Sequence, residues 1–343
     1  MFVTSDTIDL KRIGRYREFD WQEHLLGGVS VYGTAWRGYG ADAHFLLESA
    51  KRCDVLGEIQ YAGYIRPGDR RTNPLRAKSF ERLARGELAG AKNADGLLFR
   101  GTREAVGAYS GSILFGGETS GRGARLYGPT GARPAPNYPY QVFHASFVFP
   151  LPDDPIEKGA ELLRLSVEVL GAEYGYFFVR DDLCAPCQYV HGMGTGLDHG
   201  PLNRAESDEI NYWGRLVDEG RLWTGKRPLL RDLFQMNLLS ARHTSTPIEG
   251  LGYLHEWITA QPGRGRLEDC GQGRLLWTLE DAEMVEVRPA LNAAGLLFSC
   301  RDRIYRDLPG AAAEAQRLYD AQQVRYAGGV SDAARDYPGR FRG

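Results

Sequence analysis

Residues 29–36 (VSVYGTAW) alternate apolar and polar positions with the period of two that a half-buried strand requires. Asp42 stands where a carboxylate can cap a helix over 43–53, and 58–65 returns with strand character, so the first elements predict a β-α-β unit. The Pro-, Gly- and Arg-rich stretch 66–74 predicts a loop, 75–91 a helix, and 96–100 and 110–115 short strands. Residues 116–140 hold glycines, prolines and almost no apolar clusters, and read as a linker or long surface loop.

The order then repeats. Residues 141–149 alternate as a strand, and Asp154-Pro155-Ile156-Glu157 starts a helix. Asp154 can accept backbone N–H bonds, Pro155 suits the first helical position, and Glu157 can close a capping box. Ile156, Ala160, Leu163, Val167 and Leu170 share one helical face, Gly171 stops the helix, and 174–179 is apolar and aromatic enough for a buried strand. From 203 onward the pattern predicts helices over 204–219, 229–239 and 247–260, the last with a stripe of Leu251, Leu254, Trp257 and Ile258. Strands are expected at 274–279 and 295–300 around a helix beginning at Glu280, then an alanine-rich helix over 310–327 and a frayed tail. The class is therefore α+β: two lobes containing β-α-β units with mixed sheets, and a helical C-terminal portion. The lobes fall at 1–115 and 141–330, joined by 116–140, with a tail at 331–343.

With 343 residues, 43% hydrophobic and 25% charged, the chain has the composition of a folded protein and not of a disordered or collagen-like one. No stretch suits a membrane span; the best candidate, 162–170, contains Arg164 and Glu168. Asp6 and Asp9 sit where an export leader needs apolar residues, so a cytoplasmic location is expected. The net charge of −2 hides an asymmetry: 20 basic against 15 acidic residues over 1–140, but 22 against 29 over 141–343. Over 150–300 the count is 14 against 23, which argues against nucleic-acid binding there and favours a basic partner.

Catalytic and metal motifs are approached but not completed. Cys184-Ala-Pro-Cys187 precedes His191 and His199, yet the seven residues between the histidines exceed zinc-finger spacing, and the glycine-rich continuation cannot build the helix of a thioredoxin-type site. The five cysteines, odd in number and scattered, give no disulfide framework. Gly220–Arg227 (GRLWTGKR) places arginine where a P-loop needs a hydroxyl for magnesium, and Gly192, Gly194 and Gly196 need only a loop to explain them. His255-Glu256-Trp-Ile-Thr259 lacks the second histidine of a zinc protease helix. No cofactor is expected. An enzymatic alternative centres on Asp181, Asp182, Cys184 and His191, which fall together just after a strand.

The helix 158–171 (KGAELLRLSVEVLG), the run 173–181 (EYGYFFVRD), 229–240 (LLRDLFQMNLLS) and 252–258 (GYLHEWI) together resemble the immunity protein 52 family, across about residues 140–300. That resemblance implies an α+β, non-enzymatic protein that binds and neutralises a restriction-endonuclease-fold DNase toxin, some members of that toxin class being delivered by type VI secretion. It carries no inhibitory residues onto this sequence. The acidic second half suits a basic toxin, and Asp181, Asp182, Glu268 and Asp269 are the candidate charged contacts. Trp213 and Trp223, beside Tyr212 and Tyr189, are the candidate aromatic anchors.

Overall fold

The alternation at 29–36 marks the middle of a sheet whose two faces are both covered. A computed structural model of the chain describes residues 25–55, 59–65, 72–74, 77–87, 96–101, 111–116, 142–150, 152–181, 213, 221–224 and 228–298. Strand β1 (Leu25–Gly33) is followed by helix α1 (Tyr39–Arg52), strands β2 (Ile59–Ile65) and β3 (Thr72–Pro74), helix α2 (Ala77–Ala84), and strands β4 (Gly96–Gly101) and β5 (Gly111–Gly116). Strand β6 (Val142–Pro150), helix α3 (Pro155–Leu170) and strand β7 (Tyr174–Asp181) come next, then a helical turn α4 (Arg221–Thr224) and strand β8 (Met236–Leu239). Helix α5 (Ala241–Ser245), strands β9 (Pro247–Ile248) and β10 (Gly252–Tyr253), helix α6 (Leu254–Thr259), the hairpin β11 (Arg266–Asp269) and β12 (Leu275–Thr278), and helix α7 (Asp281–Ala293) complete the described elements.

Ten strands form one sheet in the order β11-β12-β8-β7-β1-β6-β5-β4-β2-β3, and each ladder is antiparallel. The fold is α+β, as expected. The strands assigned to two lobes nevertheless share this one sheet: β1 of the first half lies between β6 and β7 of the second, and β5 pairs with β6 across the 116–140 stretch. Both neighbours of β1 run against it, so β6 and β7 point the same way with α3 crossing between them, a split β-α-β unit.

One face carries Val29 and Val31, Phe143, Ala145, Phe147 and Phe149, and Phe177 and Val179 under α1 and α3. Helix α3 forms as read from sequence. Asp154 caps it by accepting from Glu157 N–H (3.0 Å), Pro155 is its first residue, and Gly171 ends it in the left-handed region at φ 72°. Arg37 closes the same end, donating to Glu168 O (2.7 Å) and Val169 O (3.2 Å). Glycine at 159 lets α3 approach the sheet closely, because a Cβ there would lie 2.5–2.6 Å from Met236 and Phe177.

The other face, with Tyr32, Val148, Tyr174, Tyr176 and Phe178, is buried by the C-terminal part: Trp213, Leu230, Leu233, Leu254, Ile258, Val287 and Leu291. Here several expectations change. Residues 229–239 are not a helix but a bent, irregular segment leading into β8, all four of whose residues are buried. The 247–260 helix shrinks to α6 because Gly250 (φ 81°) and Gly252 (φ 76°) turn the chain through the small β9–β10 pair first. Around 295–298 there is a single bridge, Leu230 to Leu297, in place of a strand. Helix α7 starts after Glu280 as predicted, with Glu280 and Glu283 forming a reciprocal capping box. The expected helices over 204–219 (apart from Trp213) and 310–327, the 116–140 loop and the tail lie outside the described residues.

Candidate functional site

Period-two alternation places Ser30 and Tyr32 of β1, His144 of β6, and Tyr174 and Tyr176 of β7 on one face of three adjacent strands. In a two-layer protein these polar groups would meet water; here the C-terminal part buries them, and they satisfy one another. Ser30 Oγ donates to Tyr32 OH (2.9 Å) and lies 2.9 Å from His144 Nε2. Tyr32 OH lies 3.1 Å from Tyr176 OH and also accepts from Trp213 Nε1 (3.1 Å). Arg231 brings its guanidinium to Tyr176 OH and its backbone N–H to Tyr174 OH (2.7 Å). Aromatic planes bind the row laterally: Tyr32 stacks on His144 at 4.5 Å between ring centres, Tyr174 on His243 at 5.2 Å and Tyr176 on Phe234 at 4.2 Å. Beneath it Arg288 and Asp232 form an ion pair with both side chains buried.

This row resembles a serine–histidine reactive pair only superficially. Ser30 Oγ donates its proton to Tyr32 OH and not to His144, so the pair lacks the hydroxyl-to-imidazole bond that a general base requires. Ser30 is also fully buried. Burial pushes the Tyr32 hydroxyl well above its ordinary pKa, and the neighbouring Tyr176 adds to this. The row is a buried hydrogen-bonded network, with the Arg231 guanidinium as its cationic member, that joins the sheet to its C-terminal cover. His243 belongs to the same construction: burial lowers it to about 4, and its Nδ1 accepts from the Ser240 backbone N–H (3.3 Å).

A second buried group lies on the opposite face. Asp42 was expected to cap the first helix. Instead Gly38 precedes α1 with φ 94°, and Asp42 sits inside the first turn, fully buried. Its Oδ2 accepts from Trp36 Nε1 (2.8 Å), whereas Oδ1 has no hydrogen-bond partner. Burial outweighs the indole bond and raises this carboxyl to about 8, so it is predominantly protonated at neutral pH.

The exposed chemistry gathers at the end of the sheet formed by β11, α6 and α7. Residues 245–293 hold eight acidic side chains and four arginines, one of the latter being the buried Arg288. Glu256, Glu268, Asp269, Glu280 and Glu286 are exposed there, together with Tyr253 at 40%. Glu268 meets Arg164 of α3 at 2.6 Å, and Asp269 Oδ1 accepts from Gly271 N–H across the hairpin turn (2.8 Å). Arg264 Cζ lies over the Trp257 ring, 4.1 Å from its centre, and the guanidinium donates to the Trp257 carbonyl (2.6 Å), which fixes α6 to the loop before β11.

The sequence-derived candidates separate accordingly. Glu268 and Asp269 are surface groups on β11. Trp213 is corrected: it is fully buried against Tyr32, Tyr174 and Phe298, and offers nothing to a partner. Trp223 is half-buried against the same core. Asp181 closes β7 with its backbone opposite Leu25, far along the sheet order from β11. Asp182, Cys184, Cys187, Tyr189, His191, His199 and Tyr212 lie outside the described residues. No group of three or more metal-ligating side chains occurs among the described residues, and no described helix is long and apolar enough to cross a membrane. Sequence reading missed the Ser30–Tyr32–His144–Tyr176–Arg231 row, although its signal was visible as polar residues repeating every second position in strands of otherwise apolar character.

No family model matches the chain, the immunity protein 52 family included, and no curated protein matches it. Among solved structures, the chain is similar to one described as Pseudomonas aeruginosa T6SS protein PA0821, at 11% identity and a TM-score of 0.48 over 89% of this chain and 86% of that one.

Proposed function

We propose that this chain is a binding protein of the immunity type, which neutralises a basic toxin, a nuclease in the simplest case, by forming a stoichiometric complex. The observation that carries this reading is the acidic end of the sheet, where Glu256, Asp269, Glu280 and Glu286 are exposed around a rigidly built hairpin and helix. A nuclease presents cationic groups to phosphate, and carboxylates held on ordered elements steer such a surface into contact and select it. Titration of the purified chain into its cognate nuclease is expected to end DNA cleavage at one-to-one stoichiometry. Undiminished cleavage at excess inhibitor would sink the proposal. Replacing Asp269, Glu280 and Glu286 together by lysine is expected to slow association at least tenfold at low salt; an unchanged rate would show that another face makes the contact.

A further inference from the structure

We propose that the free edge of β11 pairs with β11 of a second copy, joining two ten-stranded sheets into one across a two-fold axis centred on Leu267. The inference does not rest on the toxin-binding reading, although both involve β11. Strand β11 is the last in the sheet order and pairs with β12 alone among the described residues. Two backbone bonds fix which of its groups face outward. Cys270 N–H donates to Arg274 O across the hairpin (2.9 Å), and Leu279 N–H donates to Gln235 O on the far side of β12 (2.8 Å). Antiparallel alternation from either bond turns the main-chain groups of Arg266 and Glu268 towards β12 and those of Leu267 and Asp269 away from the sheet.

Among the described residues no strand pairs with that edge. Helix α6 buries Leu254 and Ile258 in the cluster that contains Trp277 and receives Leu267, and it lies against β11. Glu268 reaches Arg164 of α3 on the other face. Natural edges left open in this way are a ready template for another strand.

The strand's own sequence supplies the complement. In an antiparallel pair, residues with outward main-chain groups face one another, so the axis passes through Leu267, Glu268 or Asp269. An axis at Glu268 sets two like carboxylates opposite each other, and one at Asp269 does the same with aspartates. With the axis at Leu267, Arg266 stands opposite Glu268 of the second copy, twice by symmetry, while Leu267 meets Leu267 on the face where it already packs. Opposite charges and apolar pairs directly across strands stabilise a sheet, and like charges disfavour it, so the register centred on Leu267 is selected.

Sedimentation velocity over a concentration series tests this. The wild-type chain is expected to pass from monomer to dimer. Arg266→Glu alone gives glutamate opposite glutamate, and Glu268→Arg, combined with Arg164→Glu to preserve the contact with α3, gives arginine opposite arginine; each variant is expected to stay monomeric at every concentration. Mixed in equal amounts they regain complementary pairs and should sediment as a heterodimer. Because these positions are exposed, an unchanged thermal transition is recorded first for each variant. A wild-type chain that stays monomeric throughout, a dimer indifferent to both variants, or a mixture that fails to restore the dimer would each overturn the proposal.

Discussion

A buried carboxyl makes this protein sensitive to mild alkali. Asp42 has a folded pKa of about 8 against an ordinary value of 3.8, so the folded state holds its proton more tightly than the unfolded chain does. Its contribution is complete below the ordinary value and is lost as pH rises to about 8. His243 acts with the opposite sign: its folded pKa of about 4 lies below 6.5, so stability is lost as pH falls from 6.5 towards 4. Of these two groups, Asp42 is the one that acts between pH 6.5 and 8. Urea unfolding should therefore show stability falling by about 2 kcal/mol over that interval, and Asp42→Asn, which keeps the acceptor for Trp36, should abolish the slope. Trp213 gives a second test at this scale. Its indole is enclosed and donates to Tyr32, so Trp213→Ala should lower stability by about 3–5 kcal/mol. Complex formation by the remaining folded protein would be unaffected, which separates a core residue from an interface anchor.

The elements that sequence predicted well are those whose signals are local. Helix α3 carries its start in Asp154 and Pro155 and its stop in Gly171, and each occupies the predicted place. Helix α7 begins at its glutamate cap for the same reason. Where burial on both faces decides, the local pattern misleads: Leu229-Leu230 and Leu238-Leu239 fit a helical stripe, but they belong to a segment enclosed between layers, where period carries little information. The glycines at 250 and 252 did announce the break in the expected 247–260 helix, since both adopt positive φ. Gly159 makes a prediction about layer spacing. Gly159→Leu would push α3 against Phe177 and Met236, and should cost about 1–3 kcal/mol, read as a lowered denaturation midpoint with an unchanged slope.

For the whole molecule, charge counting located the acidic half, and among the described residues exposed carboxylates of that half stand on β11, α6 and α7 as well as around α3. What counting could not supply was which elements carry them: Glu256 stands on α6, Asp269 on β11 and Glu286 on α7. If a basic toxin docks at the β11 end of the sheet, the association rate should fall steeply between low and physiological salt while the dissociation rate changes little, since rim charges act chiefly on encounter. Stopped-flow mixing at several salt concentrations would measure both. The central place of β1 also sets a timetable. This strand is made early, yet its two neighbours, β6 and β7, are complete only after Asp181 has been added. At roughly 5–20 residues per second, β1 waits on the order of ten seconds or more on the ribosome without either lasting partner. During synthesis, then, the strand that finally anchors the sheet is the one exposed longest, and the newborn chain is most vulnerable to mispairing at the segment that later protects it best.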